Sequence, residues 1–240
     1  MVKNNQNNIY FKKRGFIIFK NLVRKETCKN LLKKLESFNK FNQAKTNKDA
    51  VFEKVGKYNV IKYFKNIDNY IIDFKQLYTN TILNIASNLI KDDAYFLNMG
   101  LHNKPPGSLV GTPPHQDNFY WCRKPSNALT AYVALTDQSV KNGGIGYLPC
   151  SHLGKIHKHY KSEIKAFSSY IKLNKSKNKN FIFPKLKSGD VVFHHCKLIH
   201  ISAGNITKKT KRTSLAITIY GKNTKLDKVC KKKYLKNFIK

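Results

Sequence analysis

The chain has 240 residues, of which 41% are hydrophobic and 12% aromatic, so it can bury one sizeable core but is short for two domains. It carries 46 lysines and arginines against 13 acidic residues, a formal net charge of +33, yet only four of the basic residues are arginines. Proteins that read nucleic acids favour arginine for two-point contacts with bases and phosphates, so we expect a solvated lysine-rich surface and no nucleic-acid partner.

The first part of the chain predicts helices and one short strand. Residues 1–13 are polar and lack the apolar stretch of a signal peptide, and they predict a frayed segment, or lead-in, before the first strand. Gly15–Phe19 predicts a strand, and residues 25–38 show the apolar spacing of a helix. A second helix is predicted over residues 67–90, where apolar side chains recur at spacings of three and four. We expect this apolar stripe to pack into the core.

After Asp93 the pattern changes to short apolar runs between turn signals. The runs are Tyr95–Met99, Leu129–Leu135, Ile145–Leu148, Phe181–Phe183, Val191–His194 and Ser214–Tyr220. Many short strands separated at regular intervals by turn residues predict a sandwich or jelly roll. Residues 171–180 are charged and of low complexity, and they predict a mobile surface loop. No run approaches the roughly 18 apolar residues of a membrane span.

These elements predict one α+β domain that is mainly β, with N-terminal helices packed on one sheet of a double-sheet barrel. We divide it into a helical part (1–93), a β-rich core (94–222) and a basic C-terminal tail (223–240). The cysteines are odd in number and form no C-x-x-C motif: Cys28, Cys122, Cys150, Cys196 and Cys230. We therefore expect free thiols rather than disulfides, and a cytoplasmic protein.

His115-Gln116-Asp117 follows the turn signal Thr112-Pro113-Pro114. In a strand, residues i and i+2 point to the same face, so His115 and Asp117 would present an imidazole and a carboxylate side by side. Such a pair supplies two ligands of the 2-His-1-carboxylate site that suits non-haem Fe(II). The pair alone is weak evidence, because a histidine and an aspartate at a loop edge also form an ordinary hydrogen bond.

A third ligand has to come from the later histidines. His200 is the best candidate, because it lies just past a predicted strand and before a Ser-Ala-Gly-Asn turn; His194 and His195 are the runners-up. Arg212 opens the next strand, and its planar guanidinium can grip a carboxylate at two points where a lysine cannot. A zinc site is the competing metal prediction, and its four ligands would be Cys150, His152, Cys196 and His200, although their spacing matches no common structural zinc pattern.

Taken together, these residues resemble the phytanoyl-CoA dioxygenase family. The resemblance is carried by Gly15–Asn21, Pro114–Trp121, Asn142–His152 and Ser188–Asn205. Cys150 and Ile201 depart from the family pattern, which has a glycine and a small residue there. The resemblance implies a double-stranded β-helix (jelly roll, cupin-like) that uses Fe(II), with 2-oxoglutarate and O₂ as cosubstrates.

The resemblance also implies residue roles. His115, Asp117 and His200 would be the iron ligands, with no catalytic residue beyond them. The residues expected to contact 2-oxoglutarate are Arg212, Ser202, Gln116 and Tyr132. The reaction implied is hydroxylation of a small organic substrate, with succinate and CO₂ as co-products.

Two other functions compete with this one. A non-catalytic basic module could bind nucleic acid or anionic surfaces on the same scaffold, and it would need neither His115 nor Asp117. A halogenase would lack the carboxylate ligand, so Asp117 favours hydroxylation. The substrate could be an acyl thioester, an amino-acid or alkaloid-like metabolite, or a sugar-derived compound.

Overall fold

The computed structural model of the protein describes residues 2–40, 47–174 and 180–239. The α-helices of the described residues are α1 (Val2–Arg14), α2 (Lys25–Lys40), α3 (Asn80–Ile90), α4 (Asp117–Trp121) and α5 (Lys228–Phe238). The strands are β1 (Phe16–Phe19), β2 (Ala50–Val55), β3 (Tyr58–Phe64), β4 (Ala94–Lys104), β5 (Thr112–His115), β6 (Arg123–Lys124), β7 (Ala128–Ala134), β8 (Ile145–Tyr147), β9 (His159–Lys161), β10 (Ser169–Ile171), β11 (Val191–His195), β12 (His200–Ser202), β13 (Arg212–Gly221) and β14 (Lys225–Leu226). None of these helices combines the length and apolar character that a membrane span requires.

Two antiparallel sheets form the body of the molecule. The larger has seven strands in the order β1-β11-β7-β13-β4-β3-β2, and the smaller has three in the order β5-β12-β8. One cavity is lined by residues of both sheets, so the sheets face each other across it. Apart from the hairpin of β2 and β3, the strands of these two sheets pair with strands distant in sequence, as β4 does with β13 and β5 with β12. This arrangement confirms the predicted double-stranded β-helix.

The N-terminal helices cover the outer face of the seven-stranded sheet, as predicted. Side chains of α2, α3 and the turns before α3 join one apolar cluster with alternate residues of β4, β7, β11 and β13. Leu129, Val133, Phe193 and Leu215 of this cluster are fully buried. Because strand side chains alternate between faces, the neighbours of these residues point the other way, into the cavity.

The first part of the chain is less simple than predicted. The lead-in is the helix α1, and residues 50–64 form an unpredicted hairpin, β2–β3, that extends the large sheet. The predicted helix over 67–90 is three pieces: 3-10 turns at Ile67–Asn69 and Ile72–Leu77, and then α3. The second turn ends before Tyr78, and Thr79 caps α3, since its hydroxyl accepts a hydrogen bond from the Ile82 amide at 3.2 Å. The apolar stripe is buried even though the backbone breaks.

Three later segments also differ from expectation. Residues 181–183 form only an isolated bridge between Ile182 and Tyr147. The basic tail contains α5, whose N-cap Asp227 accepts a hydrogen bond from the Cys230 amide at 2.9 Å. In the predicted loop over 171–180, Ile171 ends β10, and residues 175–179 lie outside the described residues.

The expectation of free thiols throughout was wrong. A disulfide joins Cys122, just after α4, to Cys230 in α5, with 5.6 Å between the Cα atoms. Cys28, Cys150 and Cys196 are free. The two bonded cysteines are separated by 108 residues, and only the packing of α5 beside α4 brings them together. Spacing along the chain carried no signal of this pairing.

Candidate metal centre and cosubstrate site

The sequence places two of the predicted ligands where a strand ends and a helix starts. Pro113 and Pro114 lie in β5, an edge strand of the smaller sheet, where a missing N–H is tolerated. His115 is the last residue of β5 and Asp117 the first of α4, so the pair does not lie within one strand as predicted. His200 begins β12 and lies directly opposite His115 in the register of the two strands.

The three predicted ligands meet at one point in the cavity. The Nε2 atoms of His115 and His200 lie 3.8 and 3.6 Å from Oδ1 of Asp117. The three ligand atoms all lie within 4.8 Å of one another. Among the described residues, this is the one group of three or more histidine, cysteine or acidic side chains that are close enough to share a metal ion. Two imidazoles and one carboxylate form the facial triad that suits Fe(II).

Backbone carbonyls orient both histidines toward this point. Nδ1 of His115 hydrogen-bonds the Pro113 carbonyl at 2.8 Å, and Nδ1 of His200 hydrogen-bonds the Leu198 carbonyl at 3.0 Å. A carbonyl accepts only, so each Nδ1 carries the hydrogen and each Nε2 keeps a free lone pair. Burial lowers the pKa of His115 and of His200, more than the neighbouring Asp117 raises it. Both rings are therefore neutral, as metal ligation requires.

The carboxylate of Asp117 is held through its other oxygen. Oδ2 accepts hydrogen bonds from the Thr130 hydroxyl at 2.8 Å and from Nε2 of His194 at 3.2 Å. The other ring nitrogen of His194, Nδ1, hydrogen-bonds the Tyr147 hydroxyl at 3.2 Å. Burial alone would raise the pKa of Asp117, but the hydrogen bonds that its carboxylate accepts, with the neighbouring histidines, hold this pKa well below its usual value. Oδ1 therefore remains free for a metal while Oδ2 fixes the orientation.

Arg212 is fixed at the start of β13 and is only 2% exposed. Its Nε donates to the Gly143 carbonyl at 3.0 Å, and its Nη1 donates to the Ser214 hydroxyl at 3.1 Å. Nη2 takes part in none of the hydrogen bonds among the described residues, and Arg212 lines the cavity. A guanidinium held in this way offers its remaining donors to a carboxylate in the cavity.

The other predicted cosubstrate contacts are placed differently. Ser202 and Tyr132 line the cavity, but the Ser202 hydroxyl accepts from the Thr112 amide at 3.3 Å and the Tyr132 hydroxyl donates to Gln138 at 2.9 Å. Gln116 points elsewhere, because its side chain donates to the Lys197 carbonyl at 2.7 Å and accepts from the His157 amide at 2.8 Å. Gln116 therefore braces the loop behind the ligands and does not line the cavity.

The alternative ligands predicted from the sequence are not gathered into a metal site. His194 supports Asp117 rather than joining the triad, and His195 points to the opposite side of β11, where it contacts Phe11. His152 hydrogen-bonds the Lys12 carbonyl at 3.0 Å. The four zinc candidates do not cluster within the described residues.

The cavity around the triad has a volume of about 230 Å³. It includes side chains that the sequence did not single out: Tyr63, Asn98, His102, Tyr120, Phe167 and Thr218. Burial, and next the cation of Arg212, lowers the pKa of His102 to about 3, and burial raises the pKa of Tyr63 to about 12. Both are therefore neutral near pH 7. Tyr120 lies in α4 and Phe167 in a loop, while the strand residues among them reach the cavity through cross-strand register, which no local motif marks.

Comparison with known proteins agrees with this geometry. The family model described as Phytanoyl-CoA dioxygenase (PhyH) matches residues 11–213. The peroxisomal phytanoyl-CoA dioxygenase of Homo sapiens is 33% identical over 116 residues, which cover 45% of this chain and 34% of that protein. The alignments with the curated relatives cover between 33% and 49% of the relatives' own lengths.

Solved structures share the fold over nearly the whole chain. AviO1 from Streptomyces viridochromogenes Tue57 has a TM-score of 0.75 at 16% identity, covering 94% of this chain and 98% of that one. The epimerase SnoN, solved in complex with Fe3+, alpha ketoglutarate and nogalamycin RO, has a TM-score of 0.70 at 19% identity and covers 93% of this chain and 85% of that one.

Proposed function

The chain belongs to the phytanoyl-CoA dioxygenase family, and we propose that it is an iron(II)- and 2-oxoglutarate-dependent dioxygenase. In this proposal it hydroxylates a small organic substrate with O₂ and releases succinate and CO₂. The observation that carries the proposal is that His115, Asp117 and His200 share one cavity with Arg212. The SnoN complex with Fe3+ and alpha ketoglutarate supports the same cofactors on this fold.

The donor set fits iron(II). Both imidazoles present an unprotonated Nε2, and Asp117 presents an ionised Oδ1, while the adjoining cavity leaves room for further ligands. Bound iron(II) with 2-oxoglutarate supplies the oxygen-activating chemistry. His115, Asp117 and His200 would hold the ion.

Arg212 and Asp117 have separate roles in this proposal. The free donors of Arg212 would bind the distal carboxylate of 2-oxoglutarate and so fix the cosubstrate's orientation, since its other donors already bond Gly143, Ser214 and the His102 carbonyl. Asp117 occupies the ligand position that halogenase relatives leave open for a halide, which favours hydroxylation. Thr130 and His194 would keep Asp117 in place throughout.

The non-catalytic basic module is not favoured. Among the residues that line the cavity, the charged side chains are Asp117 and Arg212, and no lysine contributes despite the net charge of +33. A module that binds anionic surfaces through lysines would have no use for this buried arrangement.

Metal content of purified variants tests the proposal. We expect one iron per chain in the wild type and loss of most of it in His115→Ala, because the variant lacks one of three ligands. His157→Ala is the matched control, since His157 does not line the cavity, and it should bind iron normally. Circular dichroism would establish that both variants are folded. Full iron occupancy in a folded His115→Ala would overturn the metal assignment.

A further inference from the structure

A row of four polar side chains crosses the cavity face of the large sheet. Strand register places Asn98 beside Thr218, Thr218 beside Thr130, and Thr130 beside His194. Thr130 and His194 both donate to Asp117, so this end of the row serves the metal centre. With adjacent strands about 4.8 Å apart, the backbone of Asn98 lies about 14 Å from that of His194.

The far end of the row has no protein partner. Among the described residues, no hydrogen bond involves the Asn98 amide group or the Thr218 hydroxyl, although both residues line the cavity. The Tyr63 hydroxyl is likewise unused, and its ring lies against Gly100, where a Cβ would come within 2.9 Å of it. Asn98 and Tyr63 are half-buried and Thr218 is buried, so these three polar groups are open to the cavity and can hydrogen-bond a ligand there.

Aromatic side chains also line the cavity, two of them beside His115. Phe167 contacts the His115 ring, with 5.5 Å between centroids, and Tyr120 contacts it at 5.8 Å. Trp121, the single tryptophan of the chain, also lines the cavity. The charged lining residues, Asp117 and Arg212, are already assigned to the metal and the cosubstrate. The substrate end of the cavity is therefore neutral, and the cavity offers both aromatic rings and hydrogen-bonding groups.

We propose that the Asn98–Thr218–Tyr63 end of the cavity binds an uncharged, hydroxyl-rich ring of carbohydrate type, which would be the part of the substrate that reacts. This inference rests on the proposed function. Hydroxyl groups of such a ring would pair with Asn98, Thr218 and Tyr63, and its C–H faces would pack on the aromatic side chains.

Other substrate classes fit this end of the cavity less well. An acyl chain would cover three polar groups without replacing the hydrogen bonds that they make to water. A zwitterionic amino acid would bring an ammonium and a carboxylate to a wall that carries no free charge among the described residues. A neutral polyhydroxylated ring meets neither penalty.

Fluorescence of Trp121 reports binding directly, since it is the single tryptophan and lies in the cavity. The Mn(II)-loaded protein would be titrated without oxygen, first with 2-oxoglutarate and then with methyl glycosides of hexoses, deoxyhexoses and pentoses, each with and without 2-oxoglutarate. Octanoyl-coenzyme A and L-proline would represent the acyl thioesters and the zwitterions. We expect a saturable change with at least one glycoside and none with the other two probes.

Two nearly isosteric variants test the residues. Tyr63→Phe and Thr218→Val should each weaken glycoside binding about three- to tenfold, the loss of one neutral hydrogen bond, and leave 2-oxoglutarate binding unchanged. Tyr58→Phe, an exposed tyrosine on the same strand as Tyr63, should change neither.

The outcomes separate the two proposals. Binding of 2-oxoglutarate with no response to any glycoside, or with a response only to octanoyl-coenzyme A or L-proline, would overturn the substrate assignment alone. Glycoside binding that both variants leave unaltered would also overturn it. Glycoside binding without 2-oxoglutarate binding would support the ligand class and overturn the proposed function.

Discussion

The two faces of the seven-stranded sheet are made of alternate residues of the same strands, yet they differ in chemistry. On β7, Leu129, Ala131 and Val133 join the apolar cluster under the helices, while Thr130 and Tyr132 line the cavity. On the helix side, packing density and burial determine whether the sheet is stable. On the cavity side, donors and acceptors are positioned for a metal ion and small molecules. Because residues on the two faces alternate, a substitution on the helix side should change the stability of the fold with little effect on ligand binding. A substitution on the cavity side should do the reverse.

The largest effect is expected from the helix face. Phe193 is fully buried and packs edge-on against Phe19, with 5.5 Å between ring centroids. Phe193→Ala should lower the free energy of unfolding by about 3–5 kcal/mol, through lost burial and the cavity left behind. Urea unfolding of the metal-free protein would measure it.

The matched control for this prediction is Leu153→Ala, since Leu153 is 65% exposed and its loss should change stability little. The folded Phe193→Ala protein should bind metal as the wild type does, although its neighbour His194 supports Asp117. A large fall in metal affinity with little loss of stability would contradict the separation of the two faces.

On the cavity face, Arg212→Lys keeps the charge but loses the planar two-point grip. A hydrogen bond to a charged group contributes about 1.5–3 kcal/mol, so affinity for 2-oxoglutarate should fall about ten- to a hundredfold, with iron binding nearly unchanged. Calorimetric titration of 2-oxoglutarate into the Mn-loaded protein without oxygen would measure this. Arg24→Lys, at an exposed position, is the control. Equal affinity in wild type and Arg212→Lys would remove Arg212 from the site.

A gain of stability, rather than a loss, is expected from removing a buried charge on the cavity face. Lys104 is 3% exposed and lies opposite Arg212 in the strand register. Burial, and then the cation of Arg212, lowers the pKa of Lys104 to about 6 from its usual 10.5. Between these values unfolding takes up a proton, so this lysine makes stability rise with pH, by up to about 1.4 kcal/mol per pH unit, and costs most below pH 6.

Lys104→Met should therefore be stabilised relative to wild type near pH 6, with the difference shrinking as the pH approaches 10.5. Urea unfolding of both proteins across this range would show it. Lys187→Met, at an exposed lysine, should leave the slope unchanged or change it slightly. Parallel stability curves for wild type and Lys104→Met would show that Lys104 stays charged in the folded protein.

Features that depend on short stretches of sequence were predicted well. Most strand positions after Asp93 follow from apolar runs and turn residues, and the His-x-Asp motif predicted that His115 and Asp117 lie side by side. By contrast, the apolar stripe over residues 67–90 predicted one helix, because periodicity reports which side chains are buried and does not report where the backbone breaks. Thr79 was the local signal of that break, as a residue that caps helices well.

Features that depend on strand register or distant packing were not predicted. Thr130 supports Asp117, and Asn98 faces Thr218, only because strands far apart in sequence lie side by side. The Cys122–Cys230 disulfide depends in the same way on where α5 packs. The position of Gln116 shows the reverse error, since a residue between two ligands in sequence turns away from them in space.

The strand order also has a consequence for the time course of folding. β1 pairs with β11, and the adjoining Lys20 and Asp190 form an ion pair across 170 residues of chain. β5, which carries His115, cannot pair until β12 has been synthesised, and the two parts of the large sheet, β1-β11-β7 and β4-β3-β2, are joined only when β13 pairs between them. Such long-range pairing slows folding, because the chain loses the entropy of closing large loops before the stabilising contacts between the strands form. During synthesis on the ribosome, His115 and Asp117 would thus emerge long before His200, and high-affinity iron capture would mark the completion of the fold rather than its nucleation.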